Sequence, residues 1–181
     1  MTKKEARTFV KANKERMTVE EISRLSRQIT DKITALRKFD EAEYIFTYVN
    51  YNQEVETIPL IKHCLELKKN VLVPKVYGSS MHFHQITSLD ELKPGKYGIL
   101  EPDNQKLFNP KQGFMVMPGL AFDRNLNRAG YGGGFYDKYL ADKPQIFKAA
   151  AAFQFQIVES IETDSYDLRP DMIVTEQEII I

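Results

Sequence analysis

Residues 128–137 read Arg-Ala-Gly-Tyr-Gly-Gly-Gly-Phe-Tyr-Asp. Gly130, Gly132, Gly133 and Gly134 let the backbone turn so that several N–H groups face one point. Such a turn at the start of a helix binds phosphate oxygens through amide donors and the helix dipole. Arg128 can add a bidentate charged contact to the same anion. Asp137 stands one turn into the following helix, where a carboxylate can help hold a magnesium ion that bridges phosphates. The run is not a P-loop, because no Lys-Ser/Thr follows, and it is not a clean dinucleotide fingerprint. A structural turn is the plainer account of the glycines alone. A strand before them and a helix after them favour phosphate binding.

Other reactive side chains give weaker signals. Lys3 and Arg7, at i and i+4, lie one above the other on a helix face. Taken alone, such a pair is a solvated face. His82 and His84 point the same way from a strand, but no third ligand accompanies them, so an exposed strand face is expected rather than a zinc site. Cys64 sits among apolar residues and reads as core. No Ser-His-Asp or Cys-His constellation emerges.

These residues need a scaffold. Thr2 with Glu5, and Thr18 with Glu21, have capping-box spacing. They predict helices over about 2–14 and 18–37, the second carrying an apolar stripe of Val19, Ile22, Leu25, Ile29, Ile33 and Leu36. YIFTYV at 44–49 reads as a buried strand. Thr57 is placed to cap a third helix ending near Asn70, with Pro59 tolerated in its first turn. Further strands are predicted at VLVPKV, MHFHQI, FMVMPG, IFKAAAAF and MIVT, and a short helix near 135–140. Residues 94–113 and 118–134 read as long functional loops. Strands and helices alternate with no break in composition. The expectation is one α/β domain over 1–181, three layers deep, with a mostly parallel central sheet and helices on both faces.

The chain's 181 residues suffice for one core. Lys+Arg and Asp+Glu both number 25, and that balance weighs against a dedicated nucleic-acid binder. The single cysteine excludes an internal disulfide and a Cys-rich metal site. The start lacks the apolar core of a signal peptide, and no apolar run has the length of a membrane helix. A soluble, cytoplasmic protein is expected. The charge is uneven, however. Residues 1–38 carry 11 Lys/Arg against 5 Asp/Glu, and residues 157–181 carry 1 Arg against 7 acids. Either these are two solvated faces, or the two ends lie near each other, or the basic end receives an anion.

The whole string PGLAFDRNLNRAGYGGGFYDKYL, residues 118–140, is more specific than its glycines. It resembles the signature of the 5-formyltetrahydrofolate cyclo-ligase family, also called 5,10-methenyltetrahydrofolate synthetases. The matching elements are Pro118-Gly119, Phe122-Asp123, Asn127-Arg128 and Gly130 through Asp137. Ala129 stands where a larger apolar residue is common, and Gly133 where some members carry Lys. The second difference leaves more of the phosphate contact to backbone amides. Lys3-Lys4-Glu5-Ala6-Arg7 looks like the family's N-terminal Lys-x-x-x-Arg element, and the likeness continues in order along nearly the whole chain.

The resemblance implies that Lys3, Lys4, Arg7, Arg128, Ala129, Gly130, Tyr131, Gly132, Gly133, Gly134, Phe135 and Tyr136 bind ATP. Val49, Glu54, Tyr97, Tyr131 and Phe135 would contact the reduced folate, with Glu54 at the pterin end; Asp137 and Asp171 would hold magnesium. Without the resemblance, Glu54 would read as a residue favouring the next helix start, and Asp171 as a turn residue. The implied reaction is ATP-dependent closure of 5-formyltetrahydrofolate to 5,10-methenyltetrahydrofolate, with release of ADP and phosphate and no side-chain nucleophile. A monomer is expected, with ATP and a folate as small-molecule partners. Two alternatives stay open: an inactive nucleotide- or folate-binding module of the same family, and a sugar-phosphate isomerase-like enzyme on a related fold.

Overall fold

Both predicted capping boxes are formed: Thr2 and Thr18 each accept the backbone N–H three residues on, while Glu5 and Glu21 reach back to the threonine amides. They open α1 (Lys3–Lys14) and α2 (Val19–Thr34). The second helix stops short of its expected end, and a single turn, α3 (Arg37–Asp40), takes over. Ile22, Ile29 and Ile33 of α2 are buried, each contributing roughly 1.5–3 kcal/mol of apolar transfer.

The computed structural model describes residues 1–95 and 98–181. After α3 come β1 (Tyr44–Thr47), α4 (Ile58–Glu66), β2 (Asn70–Tyr77), β3 (Ser80–Ile86), β4 (Leu92–Pro94) and β5 (Leu100–Pro102). Then follow β6 (Gln112–Met117), β7 (Ala121–Asp123), β8 (Arg128–Ala129), α5 (Phe135–Leu140), β9 (Gln145–Ala151), β10 (Ile157–Val158), β11 (Met172–Val174) and β12 (Ile179–Ile180).

Seven strands form the central sheet in the order β12-β11-β9-β6-β1-β2-β3. The inner pairings are parallel, and only the edge strands β3 and β12 run antiparallel. This is the expected architecture. On one face Ile45, Val71, Phe114 and Val116 pack against α2 and α4; on the other, Phe46, Leu72, Met115 and Met117 meet Tyr139 and Leu140 of α5. From β1 the chain builds outward one way to β2, and from β6 the other way to β9 and β11. The strand order therefore reverses between β1 and β6. A crevice forms outside the carboxyl ends at such a reversal.

Four details differ from the sequence reading. Residues 118–134 are not all loop. They contain β7 and β8, which join β10 in a second small sheet, and α1 seals that sheet by burying Ala6 and Val10 against Ala121, Ala129 and Val158. Likewise, β5 and the start of β6 occupy part of 94–113. The cap of α4 comes from Asn50 rather than Thr57: Asn50 Oδ1 accepts the N–H groups of Thr57 and Ile58 at 2.9 and 3.2 Å. The Thr57 hydroxyl donates instead to the Tyr48 carbonyl. Finally, His84 is buried, not on an exposed strand face. Segment 104–109 crosses that face, and the His84 ring lies between the Tyr77 hydroxyl and the Asn104 side chain.

The uneven charge is partly resolved by proximity. The Met1 ammonium donates to the Ser160 carbonyl, and Lys3 pairs with Asp164 and Asp167. Cys64 is core as expected, and burial pushes its thiol up to about 12.

Candidate functional site

The reversal point is where the chain gathers its glycines and cations. Pro118 leaves the carboxyl end of β6, Val49 that of β1, and the loop between β8 and α5 carries Gly130 through Gly134. A cavity of about 350 Å³ opens here. Lys3 and Arg7 of α1 form one wall, Arg128 and the glycine loop another, and Phe135 through Lys138 a third; Tyr166 and Asp167 close it. Gly132 has φ of 100°, and a Cβ there would meet nothing of the protein within 4 Å. The constraint at 132 is therefore backbone shape, with free space above it. The backbone N–H groups of Tyr131 through Gly134 find no acceptor among the described residues. Donors left open beside a cluster of cations suit phosphate oxygens.

The charged groups are held by one another. Arg7 Nε donates to the Gly130 carbonyl at 2.7 Å, tying α1 to the loop. Arg128 is buried; its Nη2 lies 3.0 Å from both oxygens of Asp137, and its Nε has no partner among the described residues. Its guanidinium also sits over the Tyr136 ring. Lys3 is ion-paired with Asp167 and Asp164. Burial disfavours its charge, but the two carboxylates outweigh that and raise its pKa.

Glu54 joins the strand side of the crevice to the loop side. It follows β1, takes the Tyr51 amide at 2.8 Å, and accepts the Tyr131 hydroxyl. Burial pushes its carboxyl above the usual range, against the pull of those two hydrogen bonds and of the nearby Lys14 charge. Helix propensity does not account for this placement, since Glu54 caps nothing in α4. Around it, Tyr48, Tyr131 and Tyr136 all have raised phenol pKa values through burial first and the Glu54 charge second. Glu54 itself does not line the cavity; it touches it through Tyr131, which is exposed, and offers an acceptor suited to a flat ligand edge bearing N–H donors.

Most of the expected site residues meet here, and some do not. Lys3, Arg7, Arg128, Gly130, Tyr131, Gly132, Gly133, Gly134, Phe135, Tyr136 and Asp137 all line the cavity. Lys4 is exposed and outside it, Ala129 is buried under α1, and Val49 is in the core beneath β1's end. Tyr97 lies outside the described residues. Asp171 does not line the cavity; its Oδ2 is held by the Lys148 amide and ammonium at 2.7 and 2.8 Å. Among the described residues no group of three or more His, Cys, Asp or Glu side chains is arranged to hold a metal ion. One carboxylate beside a phosphate site nevertheless fits magnesium, which binds through one or two carboxylates and the phosphates themselves. Asp137 is the carboxylate so placed, with Arg128 Nη2 on both its oxygens and the Leu168 amide on Oδ1. Sequence reading passed over Lys138, Tyr166 and Asp167, which reach the cavity from one helical turn on and from the far end of the chain, and over Lys14, buried near Glu54.

Fold and cleft together define an open-sheet α/β protein with a glycine-lined cationic site at its switch point. The profile of the 5-formyltetrahydrofolate cyclo-ligase family matches residues 1–176, and the chain belongs to that family. It is accordingly an enzyme of the cyclo-ligase class. The mouse 5-formyltetrahydrofolate cyclo-ligase is 27% identical, over 96% of this chain and 93% of its own. The Aquifex aeolicus 5,10-methenyltetrahydrofolate synthetase superposes with a TM-score of 0.87 at 31% identity, covering 98% of this chain and 91% of that one. A Mycoplasma pneumoniae synthetase at 23% identity shares the fold, with a TM-score of 0.79 over 97% of this chain and 99% of its own.

Proposed function

We propose that the chain closes 5-formyltetrahydrofolate to 5,10-methenyltetrahydrofolate at the expense of ATP. A formyl amide carbon is a poor electrophile, and its oxygen is a poor leaving group. In the proposed reaction that oxygen takes the γ-phosphoryl group, and ADP leaves. N10 then attacks the activated carbon and closes the five-membered ring. Phosphate departs with the former formyl oxygen, and the N10 proton passes to solvent.

The protein's part is alignment and charge stabilisation. The open amides of Tyr131 through Gly134, with Arg7, Arg128 and Lys138, hold the phosphates. Lys3 joins them by exchanging its carboxylate partners. Glu54 accepts N–H donors of the pterin, and Phe135 and Tyr136 flank the reacting ends. Magnesium, when bound, draws charge off the phosphates; Asp137 is the residue placed to hold it, with Asp171 the proposed second ligand once released from Lys148. The observation that carries the reading is the direct bond between Glu54 and the phosphate loop's own Tyr131, which puts a pterin acceptor and a phosphate cradle within one contact. No described helix is long and apolar enough to cross a membrane, and we propose a monomer acting on small molecules in the cytoplasm.

The test mixes purified chain with 5-formyltetrahydrofolate, ATP and magnesium, and follows absorbance of the conjugated methenyl product. ATP-dependent growth of that chromophore is expected. Binding of both ligands without it would identify an inactive binding module, and turnover of a sugar phosphate without ATP would identify the isomerase alternative.

A further inference from the structure

A second cavity of about 420 Å³ runs along the outer side of α5 and shares Phe135 and Lys138 with the first. Three separate stretches build it: the start of β3 with Ser80 and His82, the segment of Asn109 and Lys111, and α5 with Lys138 and Tyr139 followed by Lys143 just past its end. No carboxylate lines it. Lys143 is paired with the adjacent Asp142 at 2.7 Å and lies over the Tyr139 ring. Lys111 and Lys138 have no ion-pair partner among the described residues. The Tyr139 hydroxyl is buried with no hydrogen-bond partner among them either. The result is a groove whose formally charged lining side chains, among the described residues, are lysines, and which adjoins the first cavity at Phe135 and Lys138.

Resting on the ring-closing reading, we infer that this groove seats the carboxylates at the glutamate end of the folate substrate. That end carries two carboxyl groups, both ionised at neutral pH. With the pterin against Glu54, the p-aminobenzoyl ring passes Phe135, which borders both cavities, and the carboxylates reach Lys111 and Lys143 beyond it, Lys138 being taken up by the phosphates. Ammonium groups carry three donors and no acceptor. They match carboxylates, and no carboxylate among the described lining residues competes for them.

Lys111 lies outside the phosphate cleft and is exposed, so Lys111→Ala leaves the fold intact. Its kinetics are compared with the parent's on 5-formyltetrahydrofolate and on 5-formyltetrahydropteroate, which lacks the glutamate. Calorimetric binding of each without ATP is measured alongside. The expected result is a rise of roughly three- to tenfold in KM and Kd for the intact substrate, shrinking at high salt. Turnover number, the KM for ATP and every constant for the truncated substrate stay unchanged. An equal rise on the truncated substrate, a rise in the KM for ATP, or no change at all overturns the assignment. If the unmodified chain closes the ring on both substrates with the same KM, only the groove assignment fails. If it neither binds nor converts either, the ring-closing reading fails and the groove assignment with it.

Discussion

Asp123 and the glycine loop stand a few residues apart in one motif and use backbone amides in opposite ways. Asp123 is fully buried, and its two oxygens accept the N–H groups of Asn125, Asn127 and Ile161 and the Asn127 side-chain amide, at 2.8 to 3.0 Å. It closes the β7–β8 hairpin and pins the chain's far end to it. In the loop from Tyr131 to Gly134 the amides are left open, and the chain adds cations instead of acceptors. One half of the motif is thus satisfied internally and rigid. The other has amide donors with no acceptor among the described residues. A motif can be uniform in its specificity and still divide into scaffold and site.

Asp123→Ala should break that division most heavily. Four donors lose their acceptor, three of them in the interior, and one buried unpaired donor costs about 1–3 kcal/mol. A loss of at least about 3 kcal/mol is expected in denaturant melts, with unchanged ATP affinity in whatever remains folded at low temperature. Impaired ATP binding at full stability would place Asp123 in the site.

Gly132→Ala should give the reverse pattern. A Cβ at positive φ costs about 1–2 kcal/mol of stability, and it stands in the space over the open amides. ATP affinity should fall roughly tenfold, about 1.4 kcal/mol. Calorimetry returning the parent's ATP affinity would remove the loop from the phosphate site.

Glu54→Gln separates the two ligands. Folate binding should weaken by about 1–3 kcal/mol, with ATP affinity nearly unchanged in the absence of folate. Because the folded-state pKa of Glu54 is raised, the native state holds its proton more tightly than the unfolded chain does. Its contribution to stability is therefore present at low pH and lost as pH rises through the raised value. The Gln variant should accordingly melt no lower than the parent at neutral pH. It should also lose the fall in folate affinity that the parent shows on acidification. A lowered neutral melting point with normal kinetics would reduce Glu54 to a structural residue.

The smallest effect belongs to Glu91, far from the cleft. Partial burial works against its charge, but the Thr87 amide and hydroxyl, the Asn104 amide and Lys106 together hold its pKa down at about 2. Its contribution is present above its ordinary 4.5 and lost as pH falls towards 2. Solvent screening keeps it to about 1 kcal/mol. Glu91→Gln should melt slightly below the parent at neutral pH and level with it near pH 2. A gap that persists in acid would assign the effect to packing.

How much was legible follows the range of each signal. The capping boxes of α1 and α2 need only four consecutive residues and were readable to within a residue at their starts. The parallel order followed from alternation of strands with helices. β7, β8 and β10 were hidden because two or three residues cannot establish an alternating pattern, and Asn50 because its cap crosses a loop that sequence spacing does not fold. Within the site, the glycines and Arg128 were picked out in sequence and do line one cavity. Asp167 did not, because its meaning depends on Lys3 at the opposite end of the chain. The tie of Asp171 to Lys148 likewise needs the pairing of β9 with β11, and residue type carries no trace of it.

That pairing of Lys3 with Asp164 and Asp167 bears on how a triphosphate enters. Lys3, at the wall of the cleft, already carries two carboxylate partners from the chain, of which Asp167 also lines the cleft. Under the function proposed above, arrival of the ligand would in that part be an exchange of anions, with the carboxylates displaced to solvent and the phosphates in their place. An exchange changes local charge less than an addition does, so the affinity of Lys3 for phosphate is set by a difference between two anions, and the segment around Tyr166 must shift for the exchange to be complete.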